Sequence, residues 1–321
     1  MLTHAAVVPL GGHAAPDAQG GGWISVTGSD RVRWLNGMVT NSVQALTPGE
    51  GAYTFLLSAQ GRIQGDATVW AEPDRLLLQT DAAQVEAMLA LLDRFIIMDD
   101  VELADVSAGS TGVLVAGPSA VEVLQAAGFA EARTSRLLKR RSVTWQGVPC
   151  VLVNTYSPLV PRLEVWSQHE SQMRALMTAL ESQGAAVRSQ DDVELLRLAE
   201  GTPRFGRDIR DRELPQETGQ TRALHFSKGC YLGQEIVERI RSRGNVHRTF
   251  ARFALTGSAP SAGTPLLAEG KQVGELTSVA TADIQGERLA LGFIRREALE
   301  RGLPLTYEGG TAEPLSTAAA S

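Results

Sequence analysis

The sequence predicts an α+β protein with a small all-β domain at its C-terminal end. Two observations lead to this fold class. Through about the first 200 residues, short β-rich runs alternate with amphipathic helical stretches, and this order of elements occurs twice. After about residue 250 the pattern changes to short strands between glycine and proline turns, as in RFALTG, KQVGELTSV and RLALGFI.

The first α+β unit begins near Trp23. The stretch WISVTGSDRVRWLNG is typical of a strand, a polar helix cap and a short helix that ends at Gly37. The runs AYTFLL, DATVWA and RLLLQT then predict an antiparallel meander. A helix that Asp81 can cap follows, and its apolar residues recur on one face. These residues are Val85, Met88, Leu89 and Leu92.

The second unit repeats the order of the first. GVLVAG predicts a strand, and the following helix is bounded by Pro118 and Gly128. VPCVLVN and RLEVW predict further strands, and a last helix opens at Asp191 and ends at Gly201. The elements therefore suggest two α+β units before the all-β domain.

Four regions follow from these patterns. Residues 1–22 are rich in glycine and alanine without a clear period, so we expect a loose lead-in. The α+β region is expected over 23–249 and the small β domain over 250–310. Residues 311–321 are poor in large apolar side chains, which predicts a frayed tail.

Composition narrows the functional class. The 321 residues carry a net charge of −6, which gives no global reason to bind nucleic acid. Cys150 and Cys230 are the only cysteines, and the five histidines are scattered, so neither a disulfide framework nor a metal site is expected. No stretch of about 18 apolar residues is present. We therefore predict a cytoplasmic protein without a membrane span.

The segment 201–250 differs in charge from the rest of the chain. It holds ten Lys or Arg and six Asp or Glu, which gives +4 and leaves −10 elsewhere. A basic segment can attract a polyanion such as polyglutamylated folate or RNA. The alternative is that its arginines pair with the acidic remainder of the protein, and the sequence leaves both interpretations open.

Within this segment lies the octapeptide KGCYLGQE, residues 228–235. It predicts a glycine-bounded loop that leads into a helix, in which Glu235 and Arg239 form an i,i+4 pair. The helix N-terminus and Lys228 supply positive charge near Cys230, which makes this residue a candidate reactive thiol. The alternative is a small buried cysteine that fills space. One thiol alone cannot hold an iron–sulfur cluster, which takes about four ligands.

The octapeptide, preceded by RFGRDI and LPQETG, resembles the signature of the YgfZ family. These folate-binding proteins are related to the glycine-cleavage T-protein and to a mitochondrial iron–sulfur assembly factor. GSDRVRWLNGMVTNSV, LLSAQGRIQGD, LRLAEGTPRFG, VGELTSVA and LALGFIRRE support the resemblance. The matching stretches occur in the expected order between residue 23 and about residue 300.

The resemblance implies a fold of two intertwined ferredoxin-like units and a C-terminal β-barrel around a folate pocket. It implies tetrahydrofolate, in simple or polyglutamylated form, as the cofactor. The catalytic candidates are Cys230, Lys228 and Asp66. The candidates for cofactor binding are Trp34, Asn41, Tyr53, Asp66, Glu200, Lys228, Tyr231, Gln234, Glu235 and Arg239. For Trp34 a core position, and for Asn41 a turn, are the alternatives.

Two positions depart from the family pattern. The T-protein has two adjacent acidic residues where this chain has Gly65 and Asp66. In RLAEG, the acidic residue Glu200 lies one place later than in the family, where Ala199 stands, and one place on a helix is a rotation of about 100°.

The sequence is compatible with three functions. The first is a tetrahydrofolate-binding accessory protein that supports iron–sulfur cluster assembly or repair, with iron–sulfur proteins or assembly factors as partners. The second is a folate-dependent one-carbon transferase, either an aminomethyltransferase or a demethylase. The third is a tRNA-modification factor, which rests on the +4 segment and on the family resemblance.

Overall fold

A computed structural model describes residues 3–11, 21–134, 136–244 and 246–315. The chain divides into two compact units. The first unit contains Met1–Leu56, Gly65–Gln190 and Arg222–Leu232. The second unit contains Leu57–Gln64, Asp191–Thr221 and Gly233–Ser321.

The strands of the described ranges are, in chain order, β1 (Ala6–Gly11), β2 (Gly22–Thr27), β3 (Gly51–Leu57), β4 (Ile63–Ala71), β5 (Leu76–Thr80), β6 (Glu102–Asp105), β7 (Thr111–Ala116), β8 (Lys139–Trp145), β9 (Val148–Asn154), β10 (Arg162–Ser167), β11 (Ala186–Val187), β12 (Arg248–Gly257), β13 (Pro265–Ala268), β14 (Lys271–Val279), β15 (Arg288–Arg295), β16 (Leu305–Tyr307) and β17 (Gly310–Leu315). The α-helices of these ranges are α1 (Arg31–Met38), α2 (Val85–Asp93), α3 (Ala120–Ala126), α4 (Glu170–Ser182), α5 (Gln190–Glu200), α6 (Gln234–Arg243) and α7 (Arg296–Glu300).

The first unit contains a five-stranded sheet in the order β3-β4-β5-β2-β6. The predicted meander forms three neighbouring strands of this sheet, and the predicted stripe on α2 packs on it. Val85, Met88 and Leu92 are buried there, and Leu89 is partly buried. The apolar period of this helix therefore predicted its buried face correctly.

The same unit contains a six-stranded sheet in the order β11-β1-β7-β10-β9-β8. Its strand β1 pairs antiparallel with β7 and parallel with β11. In chain order, β1 of this sheet comes before the five-stranded sheet, and the other strands of the six-stranded sheet come after it. The two predicted α+β units, which both lie in the first compact unit, are therefore intertwined. The helices α3 and α4 contribute buried side chains to its core.

The expectation of a loose lead-in over residues 1–22 is wrong for residues 6–11, which form β1. Its side chains Val7, Val8 and Leu10 are fully buried, and the strand pairs with β7 along its length and with β11 at its first two residues. The partners are more than 100 positions away in sequence, so no local period marks the strand. Residues 12–20 lie outside the described ranges.

The second unit contains a closed barrel with the strand order β12-β15-β14-β13-β16-β17. The expectation of a tail over residues 311–321 is wrong for residues 311–315, because they form β17, which pairs with both β12 and β16 and closes the barrel. Closure removes the exposed strand edges. Residues 316–321 lie outside the described ranges, and a domain boundary at 249/250 stays a prediction. The predicted α+β class with a C-terminal barrel is confirmed.

Candidate functional site

The carboxylate of Asp66 and the phenol of Tyr53 meet on neighbouring strands of the five-stranded sheet. Tyr53 lies on β3 and Asp66 on β4, and the tyrosine hydroxyl donates a hydrogen bond of 2.6 Å to Asp66 Oδ2. The Nε2 of Gln84, in the turn before α2, donates to Asp66 Oδ1 at 2.9 Å. Both carboxylate oxygens therefore have a fixed donor.

Burial dominates the electrostatics of this pair. Removal from water raises the pKa of the Asp66 carboxyl, although the hydrogen bonds from Tyr53 and Gln84 act in the opposite direction. Burial and the nearby Asp66 charge raise the pKa of Tyr53 well above its ordinary value. Tyr53 is thus a neutral donor at physiological pH, and Asp66 is a stronger base than an exposed aspartate.

The glycine at position 65 lies on the opposite side of β4 from this pair. A Cβ added at Gly65 would lie 3.2 Å from Met88 Cγ and 3.4 Å from Gln84 Oε1. Met88 is buried in the core that α2 covers. Because side chains alternate along a strand, an acidic residue at 65 would face Met88, whereas Asp66 faces Tyr53. The departure at Gly65 therefore leaves the carboxylate beside Tyr53 in place.

The guanidinium of Arg222 lies between two aromatic rings. Its Cζ is 3.9 Å from the ring centroid of Tyr53 and 4.0 Å from that of Tyr156. Stacking on both faces fixes the plane of the guanidinium and leaves its edge as the direction for hydrogen bonds. We call Tyr53, Asp66, Gln84, Tyr156 and Arg222 the Asp66 cluster.

The side chain of Asn41 positions the backbone around this cluster. Its Nδ2 donates to the carbonyls of Tyr53 at 2.8 Å and Arg222 at 2.9 Å. Its Oδ1 accepts from the backbone N–H of Ser42 at 2.8 Å. Both N–H donors of the amide are therefore committed to the protein, which favours the structural alternative for this residue.

The ammonium of Lys228 is also committed to the protein. Its Nζ donates to the carbonyl oxygens of Asn36, Val39 and Asn41 at 2.7, 2.6 and 2.7 Å. Burial lowers the pKa of Lys228 to about 8. Because a protonated amine has three N–H donors, these three acceptors use its full capacity. Lys228 thus anchors the loop at the end of α1, and we assign it a positioning role.

The thiol of Cys230 is exposed, whereas Cys150 is buried. The helix α6 begins at Gln234, so Cys230 precedes its first residue by four positions rather than lying in its first turn. Tyr231 beside it is buried, with its ring centroid 5.1 Å from the Lys228 ammonium. Cys230 is therefore exposed on a loop that the contacts of Lys228 and Tyr231 hold in place.

Trp34 lies in the hydrophobic core, and this corrects its expected role in stacking on a cofactor. Its indole N–H donates to the carbonyl of Phe95 at 3.1 Å, and its ring packs in the cluster beneath α1. A short amphipathic helix buries its largest apolar side chain against the sheet. Trp34 is therefore not part of the candidate site.

The remaining binding candidates lie in the second unit. Glu200 is buried at the end of α5, next to a network around Arg197. Arg197 Nη1 donates to the fully buried Asp208 at 2.6 Å, and its Nη2 donates to Ser278 at 2.8 Å. This arginine of the RLAEG stretch therefore anchors α5 to the barrel within that unit.

On α6, Gln234 is half-buried, whereas Glu235 and Arg239 are exposed. Among the described residues, Arg241 of this helix pairs with Glu238 at 3.4 Å, and the expected pair between Glu235 and Arg239 is absent. Glu235 and Arg239 stay predictions as ligand contacts.

Four arginines of the basic segment 201–250 form ion pairs within the second unit. Arg207 pairs with Glu194 at 2.7 Å. Arg210 and Arg212 share Glu275 at 2.8 and 3.0 Å. Arg248 in turn pairs with Glu217 at 3.0 Å. These ion pairs favour the interpretation in which the arginines meet the acidic remainder of the protein.

Gln84, Tyr156 and Arg222 were not among the residues chosen from the sequence. Arg222 lies in the basic segment but outside any recognised motif, and Tyr156 lies in the polar stretch NTYSPLVP between β9 and β10. A lone aromatic residue in a proline-containing loop is a weak signal for a binding position. Gln84 contacts Asp66, and Arg222 stacks between Tyr53 and Tyr156, through contacts between distant parts of the chain.

The described ranges contain neither a metal-binding cluster nor a membrane-spanning helix. No group of three or more His, Cys, Asp or Glu side chains in these ranges could hold a metal ion. None of the helices in the same part of the chain is both long and apolar enough to cross a membrane.

Comparison with known proteins places these features in a family. The GCVT N-terminal domain family matches residues 13–228, and the CAF17 C-terminal β-barrel domain matches residues 248–319. A protein of Arabidopsis thaliana named as a putative chloroplastic transferase is 24% identical over 287 residues, which cover 89% of this chain and 66% of that protein. The chain thus spans just under two thirds of the length of that relative.

Other relatives carry the name aminomethyltransferase. The one from Rippkaea orientalis is 27% identical over 297 residues, covering 89% of this chain and 79% of the relative. The crystal structure of the glycine cleavage system aminomethyltransferase T from Bartonella henselae has a TM-score of 0.82 at 18% identity, covering 99% of this chain and 87% of that one. The shared fold and the domain match over more than half of the sequence show that the protein belongs to the GCVT family, with a CAF17-type β-barrel at its C-terminal end.

Proposed function

We propose that the protein binds tetrahydrofolate at the Asp66 cluster. One observation carries this proposal: the Asp66 carboxylate is held by donors on both oxygens and lies in the same cluster as the stacked Arg222 guanidinium. A fixed carboxylate acceptor beside a stacked guanidinium suits the edge of a planar ligand that carries both N–H donors and a carbonyl acceptor. The pterin of tetrahydrofolate has this combination of groups.

The residues present fit the requirements of that ligand. The pterin edge needs an acceptor in a site of restricted water access, and Asp66 supplies one on the β4 side that faces Tyr53. Arg222, stacked between Tyr53 and Tyr156, adds positive charge beside this carboxylate. Additional glutamates on a polyglutamylated folate add negative charge, so we expect the longer forms to bind more tightly.

Calorimetric titration with tetrahydrofolate tests this proposal. We expect micromolar or tighter binding to the unchanged protein and a loss of about tenfold or more in Asp66→Asn, because a hydrogen bond to a charged group contributes about 1.5–3 kcal/mol. Asp74→Asn, an exposed position, is the matched control. Absence of binding, or equal binding by Asp66→Asn, contradicts the proposal.

We further propose that folate binding serves an accessory role for iron–sulfur proteins, through the loop that carries Cys230. The exposed thiol and the anchoring of this loop by Lys228 support the proposal. Since one thiol cannot hold a cluster alone, the loop would act together with a partner protein that supplies the other ligands.

A complementation assay tests the accessory role. In cells that lack the protein, Cys230→Ala should fail to restore the activity of iron–sulfur enzymes, whereas Cys150→Ala should restore it if the variant is folded. Both variants are checked for folding by circular dichroism and for folate binding by calorimetry. Full restoration by Cys230→Ala contradicts the role of the thiol but leaves the folate proposal standing.

A folate-dependent one-carbon transferase is the second candidate. The raised pKa of the Asp66 carboxyl supports it, because a more basic carboxylate is a better proton acceptor near neutral pH. The relatives named aminomethyltransferase support it as well. Production of methylene-tetrahydrofolate from an aminomethyl or N-methyl donor would distinguish this candidate from a binding protein.

The tRNA alternative rests on the charge of the basic segment, and several arginines of that segment are paired with carboxylates. Salt-dependent tRNA binding would still check it. Cytoplasmic localisation is likewise a prediction, based on the two unpaired cysteines, and cell fractionation checks it.

A further inference from the structure

A cavity of about 430 Å³ opens in the first unit, away from every residue of the Asp66 cluster. Both sheets contribute to its walls. Trp23 comes from β2 of the five-stranded sheet, and Cys150 and Trp166 come from β9 and β10 of the six-stranded sheet. The volume falls within the range of about 300–1,000 Å³ that is typical of small-molecule sites.

The apolar part of this cavity is built around two tryptophans in fixed orientation. The rings of Trp23 and Trp166 meet edge to face, with centroids 5.3 Å apart and an angle of 86° between their planes. The Trp166 indole N–H donates to the buried Glu164 at 2.8 Å, which fixes the orientation of its ring. A fixed pair of indoles favours a ligand with a planar apolar body.

The polar part of the cavity consists of donors. Two arginines, Arg75 and Arg140, line it, together with serine hydroxyls such as that of Ser142, and no Asp or Glu is among the described residues of its lining. Both guanidinium groups pair with the single carboxylate of Glu72. One positive charge therefore remains uncompensated by this pairing.

Two buried donors in the same walls lack an acceptor. In the described part of the chain, neither the indole N–H of Trp23 nor the Nε of Arg140 has a hydrogen-bond partner. Trp23 is 5% exposed as a residue. A buried donor without an acceptor costs about 1–3 kcal/mol, so these walls carry polar groups that the fold itself does not satisfy.

We propose that this cavity is a second binding site, which takes a small organic anion with a planar apolar body. The carboxylate or sulfonate of the ligand meets the Arg75–Arg140 side, and the body lies against the two tryptophans. The site shares no residue with the Asp66 cluster and does not depend on folate binding.

Two fluorescent probes that differ in charge test the proposal on the full protein. The anionic probe is 8-anilinonaphthalene-1-sulfonate, and the neutral probe is N-phenyl-1-naphthylamine, which has the same aromatic body. We expect one equivalent of the anion to bind, with an affinity about tenfold or more above that of the neutral probe. Equal affinities would overturn the proposal, because the arginines would then contribute nothing.

Variants locate the probe. Arg140→Gln should weaken binding of the anion about tenfold and leave the neutral probe unchanged within about twofold. Arg141→Gln, the next residue on β8 and outside the lining, removes the same charge and should have no such effect. Arg75→Gln, at a more exposed position, repeats the test if Arg140→Gln fails to fold.

The last variant separates the two sites. Asp66→Asn should leave binding of the anionic probe unchanged within about twofold. An affinity that rises in Asp66→Asn would place the probe at the Asp66 cluster and overturn the proposal. Equal losses in Arg140→Gln and Arg141→Gln would overturn it too, because they would indicate a general charge effect.

Discussion

The hydroxyl of Tyr53 donates a 2.6 Å hydrogen bond to the carboxylate of Asp66, across neighbouring strands of one sheet. The two residues are 13 positions apart, and their side chains lie on the same face of the sheet. The hydrogen bond stabilises the charged form of Asp66 while burial acts against that form. The protonation state of Asp66 is therefore set by a balance that single substitutions can shift.

Tyr53→Phe should raise the pKa of Asp66 further. The substitution removes a donor that stabilises the carboxylate and keeps the aromatic ring that stacks on Arg222. The carboxyl carbon of Asp66, followed by NMR as pH is varied, gives the measurement. An unchanged or lower pKa would contradict the assigned hydrogen bond. Phe55→Leu, at a buried neighbouring position on β3, controls for general disturbance of the strand.

Asp66→Asn should stabilise the ligand-free protein at neutral pH by about 0.5–2 kcal/mol. The pKa of Asp66 is raised in the folded state, so the folded protein holds this proton more tightly than the unfolded chain does. The stability that this gives is fully present below the ordinary aspartate pKa of 3.8 and is lost as pH rises through the pKa of Asp66 in the folded state. An asparagine does not ionise, so Asp66→Asn removes this loss of stability at neutral pH.

Urea unfolding at several pH values measures this effect. The advantage of Asp66→Asn should be present at pH 7 and should shrink as pH falls toward the ordinary aspartate range. Asp74→Asn should change stability little at either pH, because Asp74 is exposed. A variant that is less stable than the unchanged protein at pH 7 would show that Asp66 contributes more through its hydrogen bonds than it costs through burial.

Lys228→Met should destabilise the first unit by about 1–3 kcal/mol, because it leaves carbonyl oxygens at the end of α1 without their donor. Lys228→Arg should restore little, since a planar guanidinium cannot direct donors to three convergent oxygens in the way an ammonium does. Hydrogen exchange of residues 36–41 gives a local readout. Lys271→Met, at an exposed position, is the control, and equal protection in both variants would contradict the anchoring role.

Arg222→Lys should weaken tetrahydrofolate binding by about tenfold while the fold is retained. The lysine keeps the positive charge but loses the plane that Tyr53 and Tyr156 hold between their rings. Calorimetry measures the change in Kd. The exposed Arg94→Lys provides the matched control. Unchanged affinity in Arg222→Lys would show that charge alone suffices at this position.

Asp208→Ala should lower the stability of the second unit by about 3–5 kcal/mol, because it breaks a fully buried ion pair and leaves Glu194 as the remaining counterion of Arg197. The measurement is hydrogen exchange in β12 and α5, compared with the first unit. Asp283→Ala, which removes an exposed partner of Arg288, should cost little. Similar costs for the two variants would contradict the structural role of the buried pair.

Sequence patterns predicted the elements that bury one regular face. The stripe on α2 and the β-rich runs of the meander and barrel are local signals, and the structure contains them. Strands β1 and β17 were missed because their stability comes from partners that are distant in sequence or required for closure. Their own residues carry no period.

The candidate site shows the same limit. Tyr53, Asp66 and Lys228 were chosen from motifs, and the structure assigns the first two to one hydrogen-bonded pair. Lys228 instead meets three backbone carbonyls, which no residue type in the sequence could reveal. Arg222 and Tyr156 come together only through folding, because 66 positions of chain separate them.

The placement of β1 between β7 and β11 has a consequence for biosynthesis. The strands beside β1 in the sheet, Thr111–Ala116 and Ala186–Val187, leave the ribosome after it. Until Val187 has been made, the buried valines of β1 have no complete sheet to join. During synthesis the segment that forms β1 is therefore an unpaired apolar segment, which is the kind of segment that chaperones bind.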